Sequence, residues 1–122
     1  TTRASDVAGR YGGEEFCVLM RDCGENEAGH FATRLVATVA AAPVAMPDGC
    51  EAELTASAGY AGGRSAGAGA AAAPVVREVM AQADSALYEA KRAGRNRAVA
   101  ARGELMFAGN RVATLSEGLL SV

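Results

Sequence analysis

Apolar and polar positions follow two different periods along this chain, and the switches between them lay out its elements. Val7 to Tyr11 and Phe16 to Met20 carry β-compatible residues on either side of Gly12-Gly13. Two such runs joined by a glycine pair predict a hairpin, with a tight turn that glycine closes by adopting positive φ cheaply. From Glu25 to Ala41 apolar residues recur at Ala28, Phe31, Ala32, Leu35, Val36 and Val39. That spacing predicts a helix with one buried stripe, ended by Pro43 and Pro47. Glu51 to Ala61 reads as a strand with Leu54, Ala56, Ala58 and Tyr60 on one face. A second helix is expected from about Pro74 to Ala93, through Val76, Val79, Met80, Ala83, Leu87 and Ala90. Proline suits its first turn, and Gly94 suits its C-terminal cap. Gly62 to Pro74 is low-complexity connection, and "NRAVAA" is a short last strand. From Arg102 onward no period is clear, and that tail has no assigned structure. Hairpin, helix, strand, helix, short strand is an α+β layout.

Composition narrows the function classes. The 122 residues fit one domain, and the apolar half is largely alanine with only 5% aromatics, so the core is thin. Twelve basic and fourteen acidic residues leave a net charge of −2, which argues against a general nucleic-acid or membrane surface. Nothing reads as a membrane span or a signal peptide. Cys17, Cys23 and Cys50 are odd in number and lack metal-ligand spacing, as expected of reduced thiols in a cytosolic protein, with Cys17 a small core residue.

Two charged clusters carry the candidate chemistry. Glu14 and Glu15 follow the glycine pair directly, and as consecutive strand positions they point to opposite faces. A carboxylate beside a bare glycine turn suits Mg2+, which takes one or two carboxylates plus carbonyls and substrate phosphates. The bland alternative is a solvated hairpin tip. Lys91, Arg92, Arg95 and Arg97 gather at the end of the second helix. Cations there complement the helix dipole, or they hold phosphate oxygens. Lys91 and Arg95 are four apart and would share a face, although Gly94 turns the chain between them. Acid for metal and base for phosphate is the pairing that phosphoryl and nucleotidyl transfer need. His30 lacks a partner at ligand spacing and is read as a surface residue. Ser57 lacks a base, Asp84 faces either its own helix or a cleft, and "GAGAAA" fits a flexible loop better than a dinucleotide turn.

Four segments in order resemble the GGDEF family, the diguanylate cyclases, in the GGEEF form. They are "RASD" (Arg3 to Asp6), "RYGGEEF", "TASAGYA" and "ADSALYEAKRAGRNR" (Ala83 to Arg97), and together they cover about Arg3 to Val99. The resemblance implies a palm-like, nucleotidyl cyclase-like fold and a domain that condenses two GTP molecules into cyclic di-GMP, as a homodimer of facing domains. It implies that Glu14 binds Mg2+ or Mn2+ and helps deprotonate the attacking hydroxyl, with Glu15 in support. Gly12 and Gly13 would let GTP lie against the turn, while Lys91 and Arg95 grip its phosphates. Arg3 and Asp6 match the RxxD of a product-inhibition site for cyclic di-GMP, and Arg34 stands where a second arginine of that site often lies.

One departure matters. No segment matches the family's "DxDxFK" or "NDxxGHxxGD", and the chain begins at Thr1 in what reads as mid-domain sequence. Residues 1–101 are therefore expected to be the C-terminal part of the domain, lacking its central first strand, with 102–122 a tail. Such a piece is expected to be silent by itself, because Glu14 alone keeps too few oxygens on a metal. It is also expected to be marginally folded, because in the family the missing strand lies between the hairpin and a later strand, and its absence leaves backbone groups of both unpaired. The expected setting is cytoplasmic, with no nucleic-acid or membrane contact by this segment, while missing upstream regions leave room for a membrane tether. The alternatives are a receptor that binds cyclic di-GMP through Arg3 and Asp6 without catalysis, and a non-functional fragment.

Overall fold

A computed structural model describes residues 2–21, 23, 25–62, 72–102 and 111–119. The expected hairpin forms from β1 (Val7–Arg10) and β2 (Glu15–Met20), and helix α1 (Glu25–Ala40) follows. β3 (Val44–Ala45) and β4 (Glu51–Ala52) make a small separate hairpin, and β5 (Leu54–Gly62) leads to helix α2 (Ala72–Arg92). β6 (Ala98–Ala100) and β7 (Arg111–Leu119) complete the chain. The main sheet runs β1-β2-β7-β5-β6, antiparallel except for the β5–β6 pair. The α+β layout is thus present. Most of the low-complexity connection, residues 63–71, lies outside the described residues.

Each helix buries the stripe its spacing predicts. Ala28, Phe31, Ala32 and Val36 of α1 pack with Val18 and Met20 of β2 and Ala58 of β5. Val79 and Ala83 of α2 pack with Ala61, and half-buried Cys17, Leu19 and Met80 join them. Even-numbered positions of both strands meet α1 and odd-numbered ones meet α2, so the helices cover opposite faces of the sheet. The expectation of a single buried face on β5 is corrected accordingly: Thr55, Ser57, Gly59 and Ala61 are buried as fully as Ala56 and Ala58. Gly59 shows how close the layers lie. A Cβ there would overlap the backbone of Leu87 and Ala83, so α2 rests directly on the β5 main chain.

The largest difference from the sequence reading is in the tail. Residues 111–119 form β7 between β2 and β5, the position the resemblance left without a strand. It pairs antiparallel with both, Ser116 standing opposite Glu15 on one side and Ser57 on the other. Backbone groups of β2 and β5 that the sequence reading left without partners are therefore paired. Residues 103–110 and 120–122 lie outside the description. Among the described residues no helix is long and apolar enough to cross a membrane.

Candidate functional site

The glycine turn is closed by hydrogen bonds, not by left-handed backbone. Tyr11 N–H and Gly12 N–H both donate to the Glu15 carbonyl, at 2.8 and 3.2 Å. Arg10 Nε donates to the carbonyls of Gly12 and Gly13, at 3.1 and 3.2 Å. Among the described glycines only Gly49 and Gly94 have positive φ, so the conformational reason expected for Gly12-Gly13 does not hold. The linker from Tyr11 to Glu14 is long enough to turn without it. Packing gives no reason either. A Cβ at Gly13 would meet nothing within 4 Å, and one at Gly12 would meet only Glu15, at 3.9 Å. The turn is bare toward the outside, with Glu14 exposed beside it and Glu15 opening β2.

At the other side of the sheet α2 ends in a cap built for a sharp stop. Arg95 N–H donates back to the Ala90 carbonyl at 3.0 Å, the long bond of a Schellman turn. Gly94, Arg95 and Asn96 have φ of 119°, 62° and 47°. The last two are left-handed without being glycine, which costs backbone energy. The helix therefore ends at Arg92, and Arg95 does not share a helical face with Lys91 as expected. Arg97 Nε steadies the cap by donating to the Arg95 carbonyl at 3.0 Å. Arg92 is turned to Tyr88, 5.9 Å from the ring centroid.

Register sets the start of β2 level with the residue ahead of β6. Glu15 is level with Ser116, and Ser116 with Ser57. The next residue, Ala58, donates its N–H to the Arg97 carbonyl at 2.9 Å. From β2 to β6 the sheet crosses three strand spacings, roughly 14 Å. Glu15 and Arg97 thus stand at one level of the sheet, with β7 and β5 between them. Metal geometry is less complete. Among the described residues no group of three or more His, Cys, Asp or Glu is placed to hold a metal ion. Glu14 and Glu15 supply two carboxylates, and the neighbouring glycine carbonyls already accept from Arg10. These residues do not by themselves fit the Mg2+ or Mn2+ site that the resemblance implies.

A second site is more compact. Arg3, Asp6 and Arg34 line one cleft of about 190 Å³, floored by Met20 and Phe31. Arg3 N–H donates to Asp6 Oδ2 at 2.8 Å, and Asp6 N–H donates back to the Arg3 carbonyl at 3.0 Å. The other carboxylate oxygen, Asp6 Oδ1, is buried and makes no hydrogen bond. The Arg3 guanidinium reaches Glu27 of α1 at 3.5 Å. Glu27 and His30 line the same cleft and were missed from sequence. Their signal was the spacing Glu27, His30, Arg34, which puts all three on one helix face.

Between β2 and α2, the Cys17 thiol donates to Met80 Sδ at 3.5 Å. Burial pushes the Cys17 thiol pKa up, and the carboxylate of Asp84 pushes it further. Asp84, left open between its own helix and a cleft, thus acts electrostatically on β2, with Oδ1 buried and unpartnered.

Comparison with known proteins reaches the same segments. The family described as diguanylate cyclase, GGDEF domain, matches residues 1–97. An uncharacterized protein, YhcK of Bacillus subtilis, is 38% identical over 97 residues, 80% of this chain and 25% of its own length. Diguanylate cyclase A of Treponema denticola is 34% identical over 104 residues, 85% of this chain and 26% of the relative. Diguanylate cyclase DosC of Escherichia coli K12 is 35% identical over 97 residues, 78% of this chain and 19% of the relative. The chain spans about a quarter or less of the length of these relatives. β7 lies outside the family match.

Proposed function

The chain belongs to the GGDEF, diguanylate cyclase, family, and from that premise we propose that it holds one GTP with Glu14 on its metal side and Lys91 and Arg95 on its phosphates. The observation that carries this reading is that Glu15, beside the acidic turn, and Arg97, just after the basic cap, share one level of the sheet. Bare glycines at 12 and 13, with no need for them in the chain's own conformation or packing, leave the turn open to a base and ribose. Lys91 and Arg95 supply the charge-assisted donors that phosphate oxygens take.

In the intact protein, two such domains face each other as a homodimer. The 3′-hydroxyl of each GTP attacks the α-phosphate of the other, its proton leaves to the Glu14 carboxylate, which Glu15 supports, and pyrophosphate departs. The product is cyclic di-GMP. A divalent metal, when bound, would stabilise the charge on the phosphates, but the described residues do not complete its site. For that reason the 122-residue chain alone is expected to be catalytically silent. The Arg3, Asp6 and Arg34 cleft supports the second part of the reading, a separate site for the product. Arginine matches the O6 and N7 acceptors of guanine, and the unpartnered oxygen of Asp6 is an acceptor awaiting N–H donors. The same cleft keeps open the receptor alternative, in which cyclic di-GMP binds and no catalysis occurs.

Calorimetric titration of GTP tests the substrate site. Lys91→Ala and Arg95→Ala should each weaken binding about tenfold, the equivalent of one charge-assisted hydrogen bond. Unchanged affinity in both variants would reject the placement. Formation of cyclic di-GMP by the 122-residue chain alone would overturn the expectation of silence.

A further inference from the structure

We propose that Glu27 is a built-in competitor at the Arg3, Asp6 and Arg34 cleft, occupying Arg3 until an anionic ligand displaces it. This rests on the reading of that cleft as a nucleotide site. Two kinds of contact hold Arg3, and they differ in kind. Its backbone is fixed locally by reciprocal bonds with Asp6, at 2.8 and 3.0 Å. Its guanidinium is held across the cleft by Glu27, on a different element and 24 residues away, at 3.5 Å. The local bonds keep Arg3 in place whether or not the guanidinium changes partner.

The guanidinium bond has the properties of an exchangeable contact. At 3.5 Å it is longer than the 2.7–2.9 Å of a strong charge-assisted bond. Both side chains are more than half exposed, 58% and 53%, so water and salt weaken the pair. A buried pair would shut the site, whereas this one holds the donor in position at small cost. A phosphate or carbonyl acceptor that reaches Arg3 takes over its donors. The displaced Glu27 carboxylate stays on the rim of the cleft, since it lines the same cavity as Arg34 and His30. Glu27 thus sets a threshold on ligand affinity, with Arg3 and Arg34 on one side of the balance and Glu27 on the other.

The test is a double-mutant cycle on the 122-residue chain, read by calorimetric titration with cyclic di-GMP and, separately, with pyrophosphate. Glu27→Gln keeps size and removes charge at an exposed position, and a thermal melt checks that it leaves the fold intact. Binding of either probe should tighten about three- to tenfold in Glu27→Gln. That gain should vanish when Arg3 is already alanine. Equal or weaker binding of both probes in Glu27→Gln, or a gain that persists in the Arg3→Ala background, overturns the competitor. The cleft's reading as a nucleotide site fails separately, if wild type binds pyrophosphate and not cyclic di-GMP; the competitor then stands or falls on the pyrophosphate arm. Binding of neither probe by any variant overturns both.

Discussion

The two candidate sites are assembled in opposite ways. The Arg3, Asp6 and Arg34 cleft is made by a short segment ahead of β1 and one face of α1, seated over β2. Its members touch: Arg3 bonds both Asp6 and Glu27. The proposed GTP site has its acid on the β1–β2 turn and its base past the end of α2, with β7 and β5 between them. There the sheet, not contact between side chains, sets the distance. The cleft should therefore tolerate damage on the α2 side of the molecule, while the sheet-end site should report it at once.

Gly59 gives the largest test of that contrast. Gly59→Ala places a methyl group into the Leu87 and Ala83 backbone, and α2 must lift from β5 to admit it. Overpacking of this kind costs about 1–3 kcal/mol. Urea denaturation should show the loss, and GTP binding should weaken along with it because Lys91 rides on α2 and Arg95 on the cap that ends it. Cyclic di-GMP binding at the cleft, built on α1, should fall far less under conditions where the variant stays folded. Equal losses at both sites would mean that the two are not independently assembled.

Arg95 sharpens the contrast at smaller scale. Its φ of 62° is left-handed, so Arg95→Gly should relieve strain worth about 1 kcal/mol. Thermal stability should rise slightly while GTP affinity falls about tenfold. Opposite signs would tie the strained backbone to ligand binding rather than to the fold. Lower stability with unchanged GTP affinity would make Arg95 a purely structural cap.

The difference between the sites also decides how legible each was in the sequence. Helix stripes are local, and Ala28 to Val36 and Val79 to Ala90 were readable from their period alone. The motif residues Glu14 and Lys91 were readable as chemistry, but the level that Glu15 shares with Arg97 runs through β7, whose partners are Glu15 and Ser57, far away in the chain. No local period marks a strand paired on both sides, and "RVATLSEGL" shows none. On β5 the sign was present but misread. Small residues at both parities, from Thr55 to Ala61, mean that two layers press on the strand. Pro43 and Pro47 were read only as ending α1, and the turn after Pro47, with Gly49 at φ 86° joining β3 to β4, went unread. The cleft was legible in Arg3, Asp6 and Arg34, while Glu27 and His30 required the helix face to be seen against the segment ahead of β1.

Cysteine chemistry offers the smallest effect and divides the molecule along the same line. Cys17 lies on the α2 side of β2, its thiol pKa raised by burial and then by Asp84. Cys23 is buried on the cleft side and Cys50 is exposed. A raised folded-state pKa means that the native chain holds the Cys17 proton more tightly than the unfolded chain does. Its contribution is fully present below the ordinary thiol value, about 8.5, and is lost as pH climbs from there through the higher folded value. Urea midpoints measured at pH 7 and pH 9.5 should therefore drop more in wild type than in Cys17→Ala. Because Cys17 is only half-buried, the difference should be a few tenths of a kcal/mol. Matching pH profiles would place the thiol in contact with water, and with it would go the claim that α2 seals this face of β2.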